Sequence, residues 1–106
     1  MNNGSKFQPY YAVIFTSIQK ENVEGYKEMA THLDSLVAKQ PGYLGMESVK
    51  GTIGITVSYW KDLESIKAWR ENLDHIEAIN KGKNQWYKSF NVRIAKVERE
   101  YEFIKE

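Results

Sequence analysis

The sequence contains no cysteine in 106 residues. Disulfides, thiol nucleophiles and thiolate metal sites are therefore excluded. No apolar run approaches the ~20 residues of a membrane span. Neither sign of charge is in excess, with 15 Lys+Arg against 14 Asp+Glu and a formal charge of +1. A surface so nearly neutral argues against a phosphate-binding partner, and so against nucleic acid. Only two histidines occur, with no HxxxH or HExxH spacing, so no metal site is expected. GxGxxG, Walker and GxSxG motifs are also missing. The opening Met1-Asn2-Asn3-Gly4-Ser5-Lys6 lacks the apolar core of a signal peptide. These absences lead us to expect a soluble cytoplasmic protein that does not engage a membrane.

The length fits one domain, and a chain of this size buries roughly two-thirds of its unfolded surface. Residues 1–9 read as a flexible N-terminal arm and 10–106 as the domain. Tyr10 to Ile18 is β-branched and aromatic with no charge on either face, the pattern of a central strand covered on both sides. A helix follows, capped by Asn22 with Glu24 in its first turn. Val23, Tyr26, Ala30, Leu33 and Val37 form its apolar stripe, with Met29 and Leu36 beside them. Gln40-Pro41-Gly42 ends it. Tyr43 to Val49 and Ile53 to Trp60 form an antiparallel hairpin around Gly51-Thr52. Ile53, Ile55, Val57 and Tyr59 share one face of the second hairpin strand. Gly54, Thr56, Ser58 and Trp60 share the other.

Asp62 caps a second helix carrying Leu63, Ile66 and Trp69. The Asp74/Glu77 pair resembles a capping box, which predicts a break near Asn72 and a restart. The last strand is expected from about Ser89 to Phe103. Phe90, Val92 and Ile94 share one parity and Val97, Tyr101 and Phe103 the other, so a bulge is expected near Ala95-Lys96. The order β-α-β-β-α-β is the ferredoxin-like, α+β arrangement with an antiparallel sheet. Two helices cover one sheet face only. The apolar first strand needs cover on both, so we expect a homodimer through the bare sheet face and the long C-terminal strand.

Certain residues carry a family resemblance. Ile55-Thr56-Val57-Ser58-Tyr59-Trp60 runs into Lys61-Asp62-Leu63-Glu64-Ser65-Ile66-Lys67-Ala68-Trp69. His75, then Trp86-Tyr87 and the long last strand follow, and Pro41-Gly42-Tyr43 precedes the second strand. Over about residues 10 to 103 the chain resembles the antibiotic biosynthesis monooxygenase (ABM) superfamily of dimeric α+β barrels. The resemblance implies a pocket between sheet and helices, used for one of two chemistries. Some members oxidise polycyclic phenols to quinones with O2 and no cofactor. Others bind haem and open its ring. The quinone-forming Trp matches Trp60, but Thr56 stands where those enzymes have Asn and Ile66 where they have Tyr. The helical Trp of the haem degraders matches Trp69. Their first-strand Asn falls at about Phe15 or Thr16, and their His at Ile79, with His75 four residues earlier.

His75 is the sharpest candidate for chemistry. A neutral imidazole can take a substrate proton or ligate haem iron, or it can simply pack and cap locally. Trp60 is the second catalytic candidate. Thr56, Ser58, Ile66, Trp69 and Trp86 are candidates for binding a small hydrophobic or aromatic molecule, the two hydroxyls by orienting it. Trp60 and Trp69 would serve equally well as core, and Trp86, with Tyr87 and Phe90, either closes the pocket as a lid or, the favoured reading, anchors the final strand. His32 reads as a surface residue. The Phe15 side of the first strand and Tyr59 are expected to face the dimer interface. Arg93, in an apolar stretch, is expected to hold a carboxylate or phenolate or, more commonly for such an Arg, to pair with an acidic residue at an interface, Glu47 being one choice. The resulting expectation is a monooxygenase without a cofactor, acting on a small flat aromatic substrate. The alternative is a protein that binds such a molecule, or haem, in the same pocket without turnover.

Overall fold

The structure is a computed structural model and describes residues 7–105, so most of the expected N-terminal arm lies outside the described residues. Four strands form one antiparallel sheet in the order β2-β3-β1-β4. Their ranges are β1 Tyr10–Gln19, β2 Tyr43–Val49, β3 Gly54–Trp60 and β4 Tyr87–Val97. Helices α1 (Tyr26–Val37), α2 (Leu63–Arg70) and α3 (Leu73–Lys81) complete the ferredoxin-like α+β fold, with a π-turn at Gly82–Trp86. Strand β1 pairs with β3 on one side and β4 on the other, the central position expected from its uncharged sequence. Among the described residues no helix is long and apolar enough to cross a membrane.

Strand alternation divides the sheet into two faces. Val13, Met46 and Trp60 belong to the helix side, where Val37, Trp60 and Ile66 form the buried core. Trp60 is fully sequestered from solvent. Phe15 lies on this side too, against Tyr87 and Phe90, and not toward the bare face as expected. Its parity is that of Val13, so the strand period itself dictates the correction. Tyr59 is on the opposite face, as anticipated.

The helix starts and stops refine the sequence reading. Helix α1 begins at Tyr26 and not at Asn22, because Gly25 takes a left-handed conformation at φ 83°. Asn22 instead closes a local turn, its Oδ1 accepting from the Glu24 N–H at 3.2 Å. Asp62 caps α2 as expected. Its Oδ1 accepts from the Ser65 N–H at 2.8 Å and hydroxyl at 2.7 Å, and these bonds hold its carboxyl below the usual carboxylate range. The break near Asn72 is present, but Asn72 is the cap, not Asp74. Its Oδ1 accepts from the N–H groups of Asp74 and His75.

Strand β4 ends at Val97, short of Phe103, and carries no bulge at Ala95-Lys96. The change of parity has a simpler cause. Val97 pairs with Tyr10, the first residue of β1, so the ladder has no partner beyond it. The register irregularity lies at the other end, between Ile18 and Gln19. Residues 98–105 have no regular structure and leave Tyr101 and Phe103 more than four-fifths exposed. Arg93 and Glu47 sit on strands at opposite edges of the sheet, so they do not pair within one chain.

Candidate functional site

Between the sheet and the helices lies an open cavity of about 290 Å³. Its floor comes from side chains of one parity: Val13 and Phe15 of β1, Thr56 and Ser58 of β3, and Phe90 and Val92 of β4. The roof includes Tyr26 and Leu33 of α1, Ile66 and Trp69 of α2, and His75 of α3, with Trp86 beyond them. The walls are mostly apolar, with a few polar groups that can orient a ligand.

His75 owes its position to the helix break. Asn72 caps α3 and sets His75 in the first turn. The carbonyl of Trp69 lies in the last turn of α2, where helical acceptors lack partners. It accepts from the Asn72 N–H at 3.1 Å and from His75 Nδ1, also at 3.1 Å. A carbonyl only accepts, so the imidazole carries its proton on Nδ1 and Nε2 bears a lone pair. Among the described residues Nε2 forms no hydrogen bond. The ring lies on the Trp69 indole at 4.5 Å, 15° from parallel. Burial pushes the His75 pKa below the ordinary 6.5, opposed in part by the bond to the Trp69 carbonyl. The group is a neutral base on the wall of an apolar cavity.

Trp60 does not line the cavity, contrary to the expectation that it meets the substrate. It is wedged beneath, its indole 5.5 Å from Tyr43 and 6.4 Å from Trp69. Its Nε1–H donates to Ser58 Oγ at 2.9 Å. Two residues apart on a strand, both side chains point the same way, and the larger fills the core at the sheet end. The bond engages a lone pair of Ser58 and leaves its hydroxyl hydrogen free to donate elsewhere. Trp60 therefore acts on the cavity through Ser58.

Trp86 reaches the cavity because the π-turn redirects the chain. Its Nε1–H donates to the Glu24 carbonyl at 2.9 Å, and its ring meets Tyr26 edge-on at 5.5 Å. Gly82 permits this turn. A Cβ there would stand 2.8 Å from the ring of Tyr87, inside any tolerable contact. Burial raises the Tyr87 phenol pKa well above its ordinary value, with a contribution from Tyr26, so Tyr87 stays protonated. His32 is exposed and bonds through Nε2 to Asp74 at 3.3 Å, outside the site.

The sequence profile of the antibiotic biosynthesis monooxygenase family matches residues 9–81. The chain belongs to the ABM family. It is 51% identical over 94 residues to Bacillus subtilis (strain 168) YqjZ, named an uncharacterized protein, covering 87% of this chain and 82% of that one. A conserved protein from Methanosarcina mazei Go1 superposes with a TM-score of 0.74 at 16% identity, covering 83% of this chain and 92% of that chain. A variant of SnoaB, a cofactor-independent oxygenase from Streptomyces nogalater, gives 0.70 at 7% identity, covering 89% and 97%. At such identities the superpositions establish a shared fold.

In this ABM protein, Thr56, Ser58, Ile66, Trp69, His75 and Trp86 all meet at one cavity. Ile79, where the resemblance sets the haem degraders' His, lines it as well, one helical turn from His75. Tyr26, Met29 and Leu33 are cavity residues that the sequence marked only as an apolar stripe. Periodicity identifies the inward face of a helix. It does not say whether that face meets side chains or a void.

Proposed function

We propose that this ABM protein is a cofactor-independent monooxygenase acting on a small, flat, hydroxylated aromatic molecule with O2. The observation that carries the reading is the unpartnered Nε2 lone pair of a neutral His75 on the wall of the apolar cavity. At about 290 Å³ the cavity has nearly twice the ~150 Å³ that accepts benzene in an engineered protein core, room for about two fused rings. A porphyrin, with four pyrroles around its iron, is larger than this space.

In the proposed reaction His75 Nε2 removes the phenolic proton. Ser58 and Thr56 hold oxygen atoms of the substrate by hydrogen bonds, and Trp69 and Trp86 flank its ring. The electron-rich phenolate reacts with O2 at a ring carbon. One oxygen atom stays as the new carbonyl, and the other leaves as water with the displaced ring hydrogen and the phenolic proton. The substrate itself supplies the electrons, so C–H and O–H become a quinone without an external reductant. A dry wall stabilises the neutral base and strengthens each polar contact.

Thr56, Ile66 and Ile79 replace polar family positions, which favours a second reading in which the cavity binds such a ligand without turnover. Oxygen uptake with a panel of naphthols and dihydroxynaphthalenes separates the two. We expect protein-dependent O2 consumption that disappears in His75→Ala. Ligand-dependent quenching of tryptophan fluorescence without O2 uptake would leave binding alone.

The bare sheet face and exposed tail support assembly as a homodimer. Ile18 and Ile55 are more than a third exposed on that face, and Tyr101 and Phe103 stand free beyond β4. Burial against a second copy would remove this apolar surface from water.

A further inference from the structure

Beside the apolar cavity lies a second, smaller one of about 170 Å³. The two share Phe15, Tyr26, Asp34, Met46 and Thr56, so they meet along one wall. The floor changes character along the strands. On β1 the helix-side positions run Val13 and Phe15 under the apolar cavity, then Ser17 and Gln19 under the smaller one. Ser48 and Thr56, paired across β2 and β3, add two hydroxyls. Gly54 leaves room above this floor, since a Cβ there would stand 3.3 Å from Ser17 Oγ. Two charged side chains border the recess from different elements. Asp34 comes from α1, and Lys50 follows β2 with its Nζ 5.3 Å over the Tyr26 ring. Neither has an ion pair among the described residues.

We infer that this recess is a subsite for an uncharged, hydroxyl-rich six-membered ring, a sugar or cyclitol in class, carried by the aromatic substrate. The inference rests on the aromatic-substrate reading above and names the second half of that molecule. Size sets the first limit. A cavity of ~150 Å³ accepts benzene, so this one holds a single ring of that size. Charge sets the second. One carboxylate and one ammonium leave the recess without net charge. An anionic substituent would gain Lys50 but meet Asp34, and a cationic one the reverse. Hydroxyl groups incur neither penalty, because each donates one hydrogen and accepts through two lone pairs. The carboxylate of Asp34 only accepts and the ammonium of Lys50 only donates, while the floor hydroxyls and the Gln19 amide do both. Tyr26 marks the boundary. Its ring meets Trp86 edge-on at 5.5 Å in the apolar cavity and carries the Lys50 ammonium over its face in the recess. The flat rings of the ligand then lie toward Trp86 and His75, and the polar ring lies toward Lys50.

Isothermal titration calorimetry without O2 compares a dihydroxynaphthalene, its two phenols on different rings, with the mono-glucoside of the same compound. The glucoside keeps one free phenol for His75. We expect it to bind on the order of tenfold more tightly, a gain that one or two additional hydrogen bonds supply. Lys50→Met should bring the ratio of the two dissociation constants toward one. Gly54→Ala should do the same, because its methyl narrows the recess without removing a side chain. Equal constants in the wild type, a weaker glucoside, or a ratio that persists in both variants would overturn the subsite and leave the aromatic cavity standing. Two further naphthols carry a carboxylate or an aminomethyl group in place of the sugar. Tighter binding of either than of the glucoside would overturn the uncharged class. Failure of all four compounds to bind would overturn the aromatic-ligand reading itself.

Discussion

The imidazole of His75 lies flat on the indole of Trp69, 4.5 Å away, while its Nδ1 donates to the carbonyl of that same residue. One residue thus sets the tautomer, the ring plane and part of the desolvation of the candidate base. The lowered pKa means that Nε2 stays free at neutral pH. We expect kcat/KM for a turned-over phenol to be flat above pH 6.5 and to fall only at lower pH, as the imidazole protonates. A descending limb centred above 6.5 would show that another group is the base.

The same burial links His75 to stability. Its pKa is lower in the folded protein than in the unfolded chain, so the unfolded state binds the proton first as pH falls. The stabilising contribution is complete above the unfolded value of 6.5. It declines between there and the lower folded value. Thermal unfolding of wild type should therefore weaken through this window relative to His75→Gln, measured side by side. Parallel pH curves for the two proteins would contradict the burial of the ring.

Asn72 is a positioning residue. Its side chain caps α3 and holds the backbone N–H of His75 at 3.3 Å. Asn72→Ala should cost about 1 kcal/mol of stability, measured by urea unfolding. It should also lower kcat and move the acid limb of the pH profile, because the imidazole loses its fixed approach to the Trp69 carbonyl. Asn72→Ser retains an accepting oxygen at the cap without adding charge and should restore both. A stability loss with an unmoved pH profile would limit Asn72 to capping.

Trp60 tests whether core and site are distinct. Truncation of a fully buried indole to alanine should destabilise the protein by about 3–5 kcal/mol. Trp60→Phe should cost less than truncation to alanine and weaken ligand binding only modestly, because it frees Ser58 from the indole N–H without removing a side chain that lines the cavity. Equilibrium unfolding and fluorescence titration measure the two quantities. Full stability with lost binding would mean that Trp60 touches the ligand after all.

Much of the fold was legible because it follows from local periodicity. The two-residue alternation through Ile55 to Trp60 assigned the faces of β3, and Asp62 marked the start of α2 by its capping chemistry. The start of α1 is not legible in the same way, because a left-handed glycine at position 25 overrides a good cap residue at 22. Nor is the end of β4, because parity alone does not reveal where the neighbouring strand stops. The candidate site was half legible. Thr56, Ser58, Ile66, Trp69, His75 and Trp86 do converge. Trp60 does not join them, because an inward-facing indole reads the same in sequence whether it fills core or faces a void.

Alone, the sequence determined the α+β order of elements, the lack of thiol chemistry and the residues that face inward. These depend on residue type and short-range spacing. Only the tertiary structure decided that Trp60 seals the core while His75 borders the cavity, and that Glu47 and Arg93 lie on opposite edges of the sheet. Those relations depend on distances between segments far apart in the chain, which strand pairing and packing of the helices set together.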